Sequence, residues 1–125
     1  MRKIFLAVVV TLTCLATFNL PAAAKDVWIS TNGDRSEWYI MDETIVGGTK
    51  NRFLWTNAVL KCVNRDGTFK KVAWRFTQMR LGGGRLENWV YDVDWNDGNK
   101  FFDKDVRVGS TAERILHYCL KHLGR

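Results

Sequence analysis

Residues 52–63 read RFLWTNAVLKCV, and their alternation decides the fold. On an extended strand Leu54, Thr56, Ala58, Leu60 and Cys62 point one way, and Phe53, Trp55, Asn57, Val59 and Lys61 point the other. The next apolar segment repeats the pattern. Val72, Trp74 and Phe76 share a face, while Phe69, Ala73 and Met79 share the opposite one with Lys71 and Arg75. Aromatic rings therefore stand on both faces. Such a sheet is covered on one side and partly covered, or curled, on the other.

Working outward, turn signals recur at Asn32-Gly33, Gly47-Gly48, Asp66-Gly67, Gly82-Gly83-Gly84 and Asp97-Gly98. The segments between them are rich in aromatic and β-branched residues, the mark of an antiparallel meander. Five strands are expected: Val27 to Ser30, Glu37 to Val46, Arg52 to Val63, Thr68 to Leu81 and Leu86 to Trp95. A short sixth belongs around Phe101-Phe102 or Val106 to Val108. The period then changes. Ser110-Thr111-Ala112-Glu113 is a capping box, and Ala112, Leu116, Cys119 and Leu123 recur at helical spacing, widened by Ile115 and Leu120. Gly124 closes the helix, and Lys121 and His122 suit the negative end of its dipole. The fold class expected is α+β, an antiparallel five- to six-stranded meander with a C-terminal helix packed on one face.

At the other end, Arg2 and Lys3 precede an uncharged run from Ile4 to Ala16, then Pro21 and Ala22-Ala23-Ala24. This order reads as a cleavable secretory signal over residues 1–24, too short to span a bilayer, with a single exported domain over residues 25–125. Thr11-Leu12-Thr13 does not make Cys14 a lipid-attachment site, so Cys14 leaves with the leader. Of 19 Lys and Arg, removal of Arg2 and Lys3 leaves 17 against 13 Asp and Glu, a formal charge of +4. A mildly basic exported domain suits an anionic glycan or an acidic protein, or is charged for solubility alone. Nucleic acid is not expected as a partner in a secreted or periplasmic compartment, nor is a membrane span after cleavage. Two cysteines remain, Cys62 and Cys119. In an exported chain they most simply form one disulfide, which here would pin the helix across the sheet and contribute about 4 kcal/mol.

No constellation for catalysis stands out. His117 and His122 lie five apart on a helix, facing different ways, and make a poor metal pair. No serine sits in a nucleophile elbow. Asp42 and Glu43 are adjacent on a strand and so point to opposite faces. Gly82-Gly83-Gly84-Arg85 lacks the following helix of a phosphate loop. Asp92, Asp94, Asn96 and Asp103 match positions one, three, five and twelve of a calcium loop. The sixth position is Asp97 in place of glycine, and an Asx-rich hairpin turn is the rival reading. The protein is expected to be no enzyme and to need no cofactor. The candidate binding face is aromatic and basic: Trp55, Phe53, Lys61, Lys71 and Arg75. Its rings serve a protein or anionic glycan, or else form a second core or a homodimer interface.

The strand Trp38-Tyr39-Ile40-Met41-Asp42-Glu43-Thr44-Ile45, the meander with few prolines, and Gly109-Ser110-Thr111-Ala112-Glu113 leading to His117-Tyr118-Cys119 resemble the small exported domains of the surface-adhesin protein E type. That resemblance implies a sheet with a C-terminal helix tied by a disulfide, and a surface protein that binds host matrix and plasma proteins. Cys62 comes one strand earlier than the first cysteine of that pattern, and the lipid-anchoring motif is absent. The resemblance bears on fold more than on adhesion and carries over no binding residue. The functional expectation is an exported non-enzymatic binding module, adhesin-like. The alternative is an inhibitor or immunity protein against a secreted hydrolase such as a lysozyme, whose usual basic charge a +4 partner would repel.

Overall fold

A computed structural model of the chain describes residues 26–79 and 86–125. The leader and the Gly82-Gly83-Gly84-Arg85 segment lie outside the described residues. Six strands form one antiparallel sheet in sequence order: β1 (Asp26–Thr31), β2 (Glu37–Lys50), β3 (Phe53–Val63), β4 (Phe69–Gln78), β5 (Trp89–Asp94) and β6 (Lys100–Asp105). A 3-10 turn over Leu86–Asn88 precedes β5, so the fifth strand starts three residues later than its composition suggests. One helix, α1 (Thr111–His122), follows the sheet.

Three hairpins at one end of the sheet are built alike. In Asn32-Gly33-Asp34-Arg35-Ser36, Asp34 Oδ1 accepts from the Ser36 N–H and hydroxyl at 2.9 and 2.6 Å. In Asn64-Arg65-Asp66-Gly67-Thr68, Asp66 Oδ1 does the same for Thr68 at 2.9 and 2.6 Å. In Trp95-Asn96-Asp97-Gly98-Asn99, Asp97 Oδ1 accepts from the Asn99 N–H at 3.0 Å. The residue after each aspartate has positive φ: Arg35 at 68°, Gly67 at 90° and Gly98 at 98°. An Asx turn followed by a left-handed residue is local chemistry, which is why these turns are readable from sequence.

Gly47-Gly48 is not a turn. Both glycines lie inside β2, which runs on to Lys50, and the hairpin falls at Asn51-Arg52, both with positive φ (52° and 72°). That is a two-residue turn of the twist-matched type, made here without glycine. Gly47 is small for a distant reason. A Cβ there would run into Leu123 Cδ1 at the end of α1 and come within 2.8 Å of the Trp55 carbonyl oxygen. Gly47→Ala is therefore expected to destabilise by about 1–3 kcal/mol. Urea unfolding measures it, and an unchanged midpoint would show that the helix end does not seat on β2.

Between Met41 and Val46 the β2–β3 register slips. Thr44 fills the gap: its hydroxyl donates to the Met41 carbonyl at 2.6 Å and accepts from the Val59 N–H at 2.9 Å. The bulge turns Ile45 to the same side as Ile40, and both are buried.

Helix α1 packs on β1, β2 and β3. Ser110 caps it, accepting from Glu113 N–H at 3.2 Å, and Glu113 Oε1 accepts from Gly109 N–H at 3.0 Å. At the far end Gly124 (φ 76°) donates to the Lys121 carbonyl and Arg125 to that of Leu120, which satisfies two end carbonyls. Thr111 Oγ1 lies 3.0 Å from Ser30 Oγ, and Arg114 Nη1 donates to the Ile29 carbonyl at 3.3 Å. Ala112, Ile115, Leu116 and Cys119 face the sheet and are buried with Ile40, Ala58 and Leu60. Six residues carry the chain from Asp105 on the last strand to Thr111 beside the first.

The expected disulfide is absent. Cys62 and Cys119 are free, buried thiols. Both stand on the helix-facing side of the sheet, as strand parity requires, but at different heights. Cys119 shares a hydrogen bond with Thr56, and Cys62 with Ser36. Thr56 and Cys62 are six residues apart on β3, about 20 Å, whereas a disulfide needs Cα atoms within about 7 Å.

Candidate binding site

Strand pairing puts Trp55 opposite Thr77, Asn57 opposite Arg75 and Lys61 opposite Lys71, all on the side away from α1. At the end of this open face nearest the β2–β3 hairpin lies a cleft of about 580 Å³. Phe53, Trp55, Asn57, Arg75, Thr77 and Lys50 line it. Gln78 Oε1 accepts from the Leu54 N–H at 3.1 Å and ties the cleft floor together across two strands. Trp55 lies over Gly48, where a Cβ would meet the indole at 3.3–3.5 Å. Gly48 thus gives the ring room to lie flat.

Of the five residues expected on this face, the cleft brings together Phe53, Trp55 and Arg75. Lys61 and Lys71 share the face but stand four pairs further along, about 13 Å away. Lys61 is also engaged: its Nζ pairs with Asp26 at 2.8 Å and sits 5.0 Å above the Phe69 ring. Lys71 and Arg75 have no ion-pair partner among the described residues. Lys50, Asn57 and Thr77 complete the cleft. Parity alone predicts Asn57 and Thr77, whereas Lys50 depends on where the hairpin falls. None of the described lining residues is acidic, so the cleft carries the positive charge of Lys50 and Arg75 against two aromatic rings.

The tryptophans divide between the faces. Trp38, Trp74 and Trp89 are buried on the helix-bearing side, in the same core cluster as Ile115, Leu116 and Cys119 of α1 and not in a second core. Trp28, half exposed, stands on the open face with Trp55.

The calcium-loop residues serve the β5–β6 hairpin. Asp92 Oδ1 accepts from Asp103 N–H at 2.9 Å, and Asp94 Oδ1 from Asn96 N–H at 2.9 Å. Asp97 Oδ2 pairs with Lys70 at 3.0 Å, which holds the Asp97 carboxyl below its ordinary range. Among the described residues, no group of three or more His, Cys, Asp or Glu is placed to hold a metal ion. Burial pushes the Cys119 thiol up to about 11 and raises Cys62 as well, the reverse of what a nucleophilic cysteine needs. No described helix is long and apolar enough to cross a membrane.

No family model matches the chain, and no curated protein or solved structure matches it at a significant level.

Proposed function

We propose that the protein is an exported, non-enzymatic binding module, adhesin-like in role, which holds an anionic partner on its open sheet face. One observation carries this reading. The cleft on the open face joins two aromatic rings to two cations with no carboxylate among its described lining residues. Aromatic rings supply rigid contact area at low entropic cost, and Lys50 and Arg75 select for negative charge. A partner of that kind is an acidic protein surface or an anionic glycan.

The test is surface retention of the protein, purified as its own cell processes it, on immobilised sulfated glycan and on acidic extracellular proteins. Trp55→Ala is expected to weaken retention by about 2 kcal/mol, roughly thirtyfold. Arg75→Glu is expected to weaken it most at low salt, where charge attraction is least screened. Equal retention of both variants, or no retention on either class of surface, would sink the proposal. Inhibition of a lysozyme that Trp55→Ala abolishes would replace it with the inhibitor reading.

A further inference from the structure

The helix-bearing side of the sheet is not wholly covered. α1 packs on β1 to β3, and past its footprint two adjoining depressions of about 300 and 270 Å³ meet at Trp95. We infer that this groove is a saccharide-binding site, separate from the cleft on the open face.

One half of the groove is aromatic, lined by Trp38, Trp74, Tyr91, Trp95 and Phe101, with Lys104 at its rim. The rings support one another: Trp38 meets Trp95 at 5.3 Å and the edge of Trp74 at 5.4 Å, and Tyr91 stacks on Trp74 at 5.3 Å. Rings this close leave no space between them for an enclosed cation. Trp38 and Trp74 are buried and stand edge to face, and they back the half-buried Tyr91 and Trp95 and the exposed Phe101, which offer ring surface to a ligand. The other half is polar, lined by Asn32, Asp34, Ser36, Asn64 and Lys70, which two of the matched hairpins bring side by side. Asp34 Oδ1 is occupied by Ser36, and the Asn64 amide nitrogen by Thr68. Among the described residues nothing donates to Asp34 Oδ2 or to the Asn64 side-chain oxygen, which remain as acceptors.

A ligand that matches both halves has apolar C–H faces and hydroxyls on one rigid body. A pyranose ring has this make-up: its C–H face lies on the negative face of an aromatic ring, while its hydroxyls reach amide and carboxylate oxygens. The size is also suitable, since small-ligand sites run from about 300 Å³ upward.

A second observation points the same way. Trp74 is 6% exposed, and its Nε1 has no hydrogen-bond partner among the described residues. A buried donor left unpaired is rare and costly, and it marks a place where a further acceptor belongs. Tyr91 stacks on the Trp74 ring and Trp38 meets its edge, so a sugar seated in the groove alters the surroundings of that indole. Binding is therefore expected to register at the Trp74 indole itself.

The experiment is a titration of the natively processed, ¹⁵N-labelled protein with three soluble hexasaccharides: cellohexaose, maltohexaose and hexa-N-acetylchitohexaose. Indole N–H resonances are followed and assigned by single Trp→Phe variants. Saturable shifts of the Trp74 and Trp95 indoles are expected with at least one of them. Trp95→Ala is expected to weaken binding at least about tenfold, with Trp95→Phe recovering most of it and Trp55→Ala changing it less than about twofold. No shift at Trp74 or Trp95 with any of the three at millimolar concentration overturns the inference. Shifts confined to Trp55 and Trp28 also overturn it, and would place the sugar on the open face. Failure here leaves retention by the open face untouched, because Trp95 and Trp55 stand on opposite sides of the sheet.

Discussion

Trp89→Ala is expected to cost about 3–5 kcal/mol, the range for removing a large aromatic from a packed interior. Trp89 begins β5, is 2% exposed, and pairs with Gln78 on β4. Its carbonyl accepts from Val106 N–H at 3.4 Å, and Val106 is itself buried. Trp89 thus packs where the chain leaves β6 and turns back toward the helix. Loss of the indole empties a space that neighbours reached by short loops cannot fully close. In a domain of about 100 residues this corresponds to a fall of about 20 °C in melting temperature. Urea unfolding followed by far-UV dichroism gives the number. A cost below about 1.5 kcal/mol would mean that Trp89 is not a core residue and that β5 is wrongly placed.

The meander and the terminal helix were legible because each rests on local chemistry. Alternation in 53–63, an aspartate two residues before Ser36 or Thr68, and Ser110 three before Glu113 are all read within one turn or strand. What escaped the sequence was long-range. Gly47 resembles a turn glycine, but it is small because Leu123, 76 residues later, lands on it. The true turn at Asn51-Arg52 has no glycine to announce it. For the site, parity delivered Phe53, Trp55 and Arg75 to one face. It could not show that Lys61 is held by Asp26 from the edge strand, or that Lys50 swings into the cleft. The groove beside Trp95 was invisible for the same reason, since its polar half is assembled from the hairpins around Asp34 and Asn64.

Ile115→Ala is the sharpest probe of how the helix is held. Ile115 is fully buried, flanked by Leu116 and one turn before Cys119. Truncation to alanine is expected to cost about 2–5 kcal/mol. A covalent link would work differently. Were Cys62 and Cys119 joined, reduction would remove a stabilisation of about 4 kcal/mol, and the helix would stay tethered even with Ile115 shortened. With Cys119 beside Thr56 and Cys62 beside Ser36, the helix is held by its apolar stripe, its two caps and non-covalent contacts such as those of Thr111 and Arg114. Dithiothreitol is therefore expected to leave the unfolding midpoint of the wild-type protein unchanged, while Ile115→Ala lowers it by about 8–20 °C. Mass spectrometry after alkylation in denaturant, without reductant, is expected to find both thiols modified. A linked pair of peptides, together with a midpoint that drops on reduction, would show instead that sulfur chemistry does the work assigned here to packing.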